Sequence, residues 1–356
     1  MEVVTEQPHL IVERSGSIGR LRLNRPKALN SLTLQMVRAM QSALDAFEKD
    51  PAIAAVLVTG EGERGLCAGG DIRVIYESGR AGTELATAFW REEFALNASI
   101  SHFSKPYIAV MDGITMGGGV GISAHGSHRI VTERTRLAMP ETGIGYFPDV
   151  GATWLLSRGP GELGTYLGLT GEQVGAADAI EAGLADFFVP SGELSAMTDG
   201  LSTLPAGSSP GQISQMLQRL SRPAPPGVLT SSRSVIDGLF AFDCVEAIIA
   251  ALEDKATEFA QKVRAVLLAR SPTSLKLTLR LLRLGRASAS LEECLERELG
   301  ACAKMLCTAD FYEGIRAAVI DKDRDPKWSP DSLAGVTGEM VEAYLQPPSP
   351  PLFAMT

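Results

Sequence analysis

The chain of 356 residues is acidic, with 42 Asp and Glu against 33 Lys and Arg and a formal net charge of −9. That balance excludes the basic footprint of a nucleic-acid binder, and 45% hydrophobic with 21% charged residues excludes a disordered or fibrous chain. The five cysteines (Cys67, Cys244, Cys294, Cys302, Cys307) are odd in number and show no metal-binding spacing, which excludes a disulfide scaffold and predicts a reducing compartment.

The opening MEVVTEQPHL lacks the basic and apolar regions of a secretion signal. No apolar run reaches membrane-spanning length. A cytoplasmic location with no membrane partner is therefore expected.

In chain order, Leu10 to Glu13 and Gly19 to Leu23 are predicted as a hairpin around the turn Arg14–Ser17. Ser31 or Thr33 can cap a helix running to about Lys49. Ala54 to Thr59 is the next buried strand. It leads into a glycine-rich stretch, Gly60 to Ile72, that clears space around backbone amides just before a helix. Thr83 to Ser101 is predicted helical. Tyr107 to Val110 and Arg129 to Glu133 are predicted strands, with Gly117-Gly118-Gly119 between them. Helix and turn follow over Gly151 to Leu169, and a helix runs into a strand over Ala176 to Phe188. From Val189 to Val228 the composition shifts to Pro, Gly and Ser, the pattern of a linker. Beyond it, helices are predicted over Asp243–Leu252, Thr257–Ala269, Thr273–Leu284 and Leu291–Leu306, and the proline-rich end is expected to be extended and loosely held. Paired short strands followed by helices predict an α/β fold without simple βαβ alternation.

The chemistry concentrates between Lys105 and Val150. Three consecutive glycines are costly in backbone entropy. They suit a helix start where bare N–H groups face a developing negative charge. The Gly65–Ile72 loop is a second such place, and two backbone donors together can hold a thioester carbonyl. Glu141 and Asp149 lie eight residues apart and could do acid, base or nucleophile work. Each also fits a helix-capping carboxylate, as both follow proline. Gly119–Ala124 matches the dinucleotide pattern G-x-G-x-x-A. However, the acidic residue that should read a ribose lies past the end of the next strand, so the match is accidental. His125 and His128 lack a third ligand nearby and read as core or capping residues. No G-x-S-x-G elbow occurs. Lys276, Arg280 and Arg283 share one helix face, by default a solvated one, and form the densest positive patch available to phosphates.

The loop Cys67-Ala68-Gly69-Gly70-Asp71-Ile72, the run Gly113 to Gly121 and the segment Met139-Pro140-Glu141-Thr142 resemble the crotonase (enoyl-CoA hydratase/isomerase) superfamily. The resemblance spans Asn24 to Trp328. Phe311–Ala317, Ile320–Asp323 and Pro326–Trp328 resemble its 3-hydroxyisobutyryl-CoA hydrolase branch. It implies a spiral of ββα repeats with a helical C-terminal region: residues 1–207 as the acyl-CoA-binding catalytic core, and 208–356 completing the CoA site and an assembly surface.

By motif position, the resemblance makes the Gly70 and Gly118 amides the oxyanion hole and Glu141 the catalytic glutamate. Lys27, Ala28, Ala68, Gly70, Asp71 and Ile72 would line the CoA path. Glu93 matches a substrate-contacting position, as do Gly118, Glu141 and Asp149. Where hydratases carry a second glutamate this chain has Gly121, and Asp149 falls where the hydrolases carry a functional aspartate. The implied reaction is hydrolysis of a short-chain 3-hydroxyacyl-CoA in valine breakdown, with Glu141 as nucleophile or as general base. Hydration or isomerisation of an enoyl-CoA and a non-catalytic CoA-binding role remain alternatives. No metal or redox cofactor is implied, the partner is the acyl-CoA itself, and a homo-oligomer is compatible.

Overall fold

The structure is a computed structural model that describes residues 8–255 and 257–353. Seven of the ten N-terminal residues read for a secretion signal therefore lie outside the described residues. Among these, nine strands form two sheets: β1 (Leu10–Ser15), β2 (Ile18–Leu23), β3 (Ala55–Gly60), β4 (Gly65–Cys67), β5 (Tyr107–Met111), β6 (Ile114–Met116), β7 (His128–Val131), β8 (Arg136–Ala138) and β9 (Phe187–Phe188). The N-terminal half carries helices α1 (Leu34–Lys49), α2 (Ile72–Ala81), α3 (Leu85–Ser101), α4 (Gly118–Ala124), α5 (Ala152–Arg158), α6 (Leu163–Thr170) and α7 (Ala176–Glu181). There follow α8 (Leu194–Ser202), α9 (Pro210–Leu220), α10 (Leu229–Phe240), α11 (Val245–Lys255), α12 (Glu258–Leu268), α13 (Pro272–Ala287), α14 (Leu291–Met305), α15 (Ala309–Ile315) and α16 (Gly338–Glu342).

The repeat that builds the molecule is a pair of short strands. The leading strands β3, β5 and β7 lie parallel as neighbours in the six-stranded sheet β1-β2-β3-β5-β7-β9, and the trailing strands β4, β6 and β8 form a parallel sheet of three. Each pair thus advances the chain by one spiral turn. The expected hairpin is present, antiparallel, with Leu10 opposite Leu23. Thr33 is the cap of α1, accepting the Met36 N–H at 3.3 Å.

Alternation along the strands gives the large sheet two buried faces. Leu21, Val56, Val58, Tyr107, Ala109 and Val131 point into the main core, which continues through Leu277, Leu295 and Phe311 of the C-terminal helices. Ile18, Ala55, Leu57, Ile108, Val110 and Ile130 point the other way, onto Met197, Leu201, Ile213 and Leu217 of α8 and α9. Burying a side chain of that size contributes roughly 1.5–3 kcal/mol.

The linker expected over Val189–Val228 is therefore corrected: it supplies the layer on the sheet's second face. Its Ser209-Pro210 is a helix start, with Ser209 and Gln212 forming a reciprocal capping box and Pro210 in the first turn. The proline-rich end has no helix but is tied down. Arg91 donates to the Pro350 and Pro351 carbonyls, and Glu296 accepts the Leu352 and Phe353 N–H groups at 2.7 Å. Among the described residues no helix is long and apolar enough to cross a membrane.

Candidate active site

A cavity of about 120 Å³ opens where the small sheet meets α3, α4 and the loop after β8. Gly70 and Gly118, the two expected backbone donors, both line it. Leu32 bridges Gly70's neighbours, its N–H donating to the Gly69 carbonyl and its carbonyl accepting the Asp71 N–H, each at 2.9 Å. Gly70's own amide therefore faces the opposite way, into the cavity. Gly118 is the first residue of α4, where a helix leaves its N–H without an internal acceptor. Gly117 before it has φ 50° and ψ −123°, a conformation reserved for glycine. A Cβ on Gly118 would sit 3.2 Å from the Gly70 nitrogen and collide with Glu93 Oε1, so the two amides and that carboxyl share one small volume.

Three carboxyl groups converge here, and the lining contains no lysine, arginine or histidine. Glu141 opens a 3-10 turn, Glu141–Ile144, that Gly145 closes in a left-handed conformation. Its side chain is buried, and Oε2 has no partner among the described residues. Burial pushes its carboxyl well above the usual range, with the Asp149 charge adding to the effect. Glu93 stands on the buried face of α3, while its neighbour Glu92 turns outward to Arg38. Burial and then Asp149 likewise raise the Glu93 carboxyl, whose Oε1 lacks a partner among the described residues. Asp149 is pushed up to about 7 by burial, and its hydrogen bond from Tyr146 pulls in the opposite direction. Three acids close together in low dielectric cannot all ionise at neutral pH. The site thus holds both carboxylate and carboxylic acid, the pairing that acid–base chemistry needs.

Tyr146 was not anticipated from sequence. Its hydroxyl donates to Asp149 Oδ2 at 3.0 Å and lies 2.8 Å from Cys302 Sγ. Burial raises both the phenol and the thiol, so both keep their protons and the thiol donates to the phenol oxygen. The Tyr146 ring stacks on Trp90, centroids 5.9 Å apart and planes within 10°. A polar aromatic three residues before Asp149 was the available signal.

Of the residues expected on the CoA path, Ala68, Gly70 and Ile72 line the cavity. Lys27 and Ala28 sit exposed in a 3-10 turn, Pro26–Ala28, outside that lining. Asp71 pairs with Arg25 at 3.0 Å, a contact that fixes the Arg25 loop to the start of α2. The α13 cations are not free for phosphates. Lys276 reaches Glu246 at 2.5 Å, Arg280 reaches Glu342 at 2.8 Å, and Arg283 lies between Glu162 at 3.1 Å and Asp243 at 2.9 Å. His125 bonds the Val150 carbonyl and His128 bonds Ser214, as core histidines do.

Gly121 explains itself sterically. A Cβ there would stand 2.7 Å from Val150 Cβ and 2.9 Å from Asn97 Nδ2, so the space of a second glutamate is already filled.

Comparison with known proteins extends this geometry to the family level. The sequence model of the family described as enoyl-CoA hydratase/isomerase matches residues 18–345. The chain is 44% identical over 337 residues to the 3-hydroxyisobutyryl-CoA hydrolase, mitochondrial, of Danio rerio, covering 94% of this chain and 88% of that protein. It is 41% identical over 342 residues to the Homo sapiens protein of the same name, with 95% and 88% covered. Among solved structures, one described as a carnitinyl-CoA dehydratase from Mycobacterium thermoresistibile superposes with a TM-score of 0.92 at 43% identity, covering 98% of this chain and 99% of that one. One described as an enoyl-CoA hydratase from Rhodobacter sphaeroides gives 0.89 at 40%, covering 98% and 100%. The α/β spiral expected from the motifs is the fold of these neighbours.

The expected cytoplasmic location is overturned by the curated relatives, whose names carry "mitochondrial". The sequence argument could not separate the two, because free thiols fit any reducing interior. The chain belongs to the enoyl-CoA hydratase/isomerase family, the crotonase superfamily.

Proposed function

We propose that this protein hydrolyses 3-hydroxyisobutyryl-CoA to 3-hydroxyisobutyrate and coenzyme A, a step of valine breakdown. The observation that carries the reading is Asp149. It is buried beside Glu141 and hydrogen-bonded by Tyr146, while Gly121 leaves no room for a hydratase's second glutamate. The relatives' names agree with it.

In this reading the thioester oxygen accepts from the Gly70 and Gly118 amides. Each such donor contributes about 3–4 kcal/mol of transition-state stabilisation. Glu141 attacks the carbonyl carbon, forming a C–O bond. The C–S bond then breaks, and the leaving CoA thiolate takes a proton from the buried carboxyl cluster. Water opens the resulting mixed anhydride and gives a proton back to the carboxyl cluster, releasing the acid and restoring Glu141. Alternatively, Glu141 takes a proton from water as the water attacks the carbonyl carbon directly; the C–S bond then breaks and the proton passes to the leaving CoA thiolate. Asp149 orients the substrate hydroxyl or the water, and Glu93 meets the acyl group from the other side. Residues 1–207 supply every group named, and 208–356 back them. The reaction draws on no metal or redox cofactor, so dialysis against a chelator leaves the rate unchanged. The reading includes assembly into a homo-oligomer, which light scattering checks.

Enoyl-CoA hydration is the second reading, favoured by the descriptions of the two solved relatives. Thiol release from 3-hydroxyisobutyryl-CoA, measured beside crotonyl-CoA hydration, separates the two. Thiol release lost in Glu141→Gln and Asp149→Asn, with negligible hydration, supports the hydrolase. Hydration that survives Asp149→Asn without thiol release overturns it. Tight acyl-CoA binding with neither reaction would leave a non-catalytic binding protein.

A further inference from the structure

A fourth buried carboxyl group, which the reaction above does not use, stands directly behind Asp149. Glu298 lies in the apolar stripe of α14 between Leu295 and Cys302, with no solvent exposure. Its Oε2 accepts the Gly151 N–H at 2.7 Å, and its Oε1 accepts the Thr153 N–H at 3.1 Å together with the Thr153 hydroxyl. The segment it grips is strained. Val150 has φ 54° and Gly151 has φ 77°. A β-branched residue in the left-handed region is an outlier that persists only where its surroundings hold it there. From the opposite side the His125 ring donates from Nε2 to the Val150 carbonyl at 2.8 Å. Burial pushes the His125 pKa down to about 4, so the ring stays neutral and keeps that donor tautomer at working pH. Inside the turn, Ala152 N–H donates to the Asp149 carbonyl at 2.8 Å.

We propose that Glu298 and His125 are positioning residues that clamp the Asp149–Thr153 turn in its left-handed conformation and so aim the Asp149 carboxyl at the reacting acyl group. The inference rests on the hydrolase reading only for what Asp149 does once it is aimed. Every side-chain contact of the clamp is made to the turn's backbone or to Thr153. Neither Glu298 nor His125 lines the cavity, so the clamp acts through the turn that carries Asp149, and its loss falls on turnover rather than on substrate binding.

The test is Glu298→Gln, which keeps an acceptor for Thr153 but turns an amide donor against the Gly151 N–H. Thiol-release kcat is expected to fall ten- to a hundredfold with KM within threefold. A raised KM at unchanged kcat, or an unchanged kcat, overturns the clamp. Should Glu298→Gln fail to fold, His125 decides: His125→Gln can still donate to the Val150 carbonyl and should retain most of kcat, where His125→Leu should lose it. Equal losses in the two overturn the proposal. Amide exchange at Gly151 and Thr153 needs no substrate and separates this inference from the hydrolase reading. If the wild type releases no thiol, the hydrolase reading fails alone, and exchange at least tenfold faster in Glu298→Gln still supports the clamp. Unchanged exchange overturns it.

Discussion

The Tyr146 hydroxyl stands between Asp149 Oδ2 at 3.0 Å and the Cys302 sulfur at 2.8 Å, a directed chain of donors that ends on the carboxylate. The hydrogen bond favours the ionised form of Asp149 against the burial that opposes it. Tyr146→Phe keeps the ring on Trp90 and removes only this support. Asp149 then titrates higher than about 7, so the acidic limb of kcat/KM moves to higher pH. At pH 7 activity should fall several-fold and recover towards pH 9. A limb that stays in place would show that Asp149 does not need its charge.

Glu141→Gln keeps the size of the side chain but removes both nucleophile and base. Thiol release should fall by about a hundredfold or more, while acyl-CoA binding measured by calorimetry stays close to wild type. Single turnover of the wild type in heavy-oxygen water separates the two routes. Label found in Glu141 itself establishes the anhydride route.

Gly118→Ala tests the oxyanion hole directly, because the new methyl enters the space between Glu93 and the Gly70 amide. A loss of roughly a hundred- to a thousandfold in kcat is expected. Gly175→Ala, where a Cβ meets nothing within 4 Å, is the control and should keep full activity.

Gly121→Glu restores the hydratase pattern on paper. Because Val150 and Asn97 already fill that space, the variant should lose on the order of 1–3 kcal/mol or more of stability in denaturant unfolding and gain no crotonyl-CoA hydration. Measurable hydration would show that the region can open.

Asp149 also links stability to pH. Its folded pKa, about 7, is raised from 3.8, so the stability it allows is fully present below the unfolded value and is lost as pH rises through the folded one. The wild type should therefore lose stability between about pH 4 and pH 8. Asp149→Asn should flatten that slope and melt higher than wild type at pH 8 while releasing no thiol. An identical pH dependence in the two proteins would rule out Asp149 as its source.

How much of this was legible in the sequence depends on chain distance. Gly70, Gly118 and Glu141 lie inside contiguous motifs, and Asp149 only eight residues beyond Glu141, so the local pattern shows them. Strands β4, β6 and β8 are three residues each, too short for any periodicity to show, and the sheet they form is visible only in three dimensions. The Val189–Val228 segment misled because Ser and Pro mark helix starts as well as linkers. Glu298 lies 149 positions after Asp149, yet an acidic residue in the middle of an otherwise apolar helix face was a readable anomaly. The α13 cations show the converse: their spacing was plain, but their carboxylate partners come from three separate places in the chain.

A cavity lined by three carboxyl groups and no lysine, arginine or histidine has a consequence for the order of events after bond cleavage. The thioester is neutral at its reacting end and can enter, but hydrolysis creates a new anion among acids that already crowd one another. Like charges at a few ångströms in low dielectric repel strongly. The ionised acid is therefore held more weakly than the neutral thioester, which favours its release. Exit of the acid is driven by the same electrostatic crowding that keeps the catalytic carboxyls partly protonated beforehand.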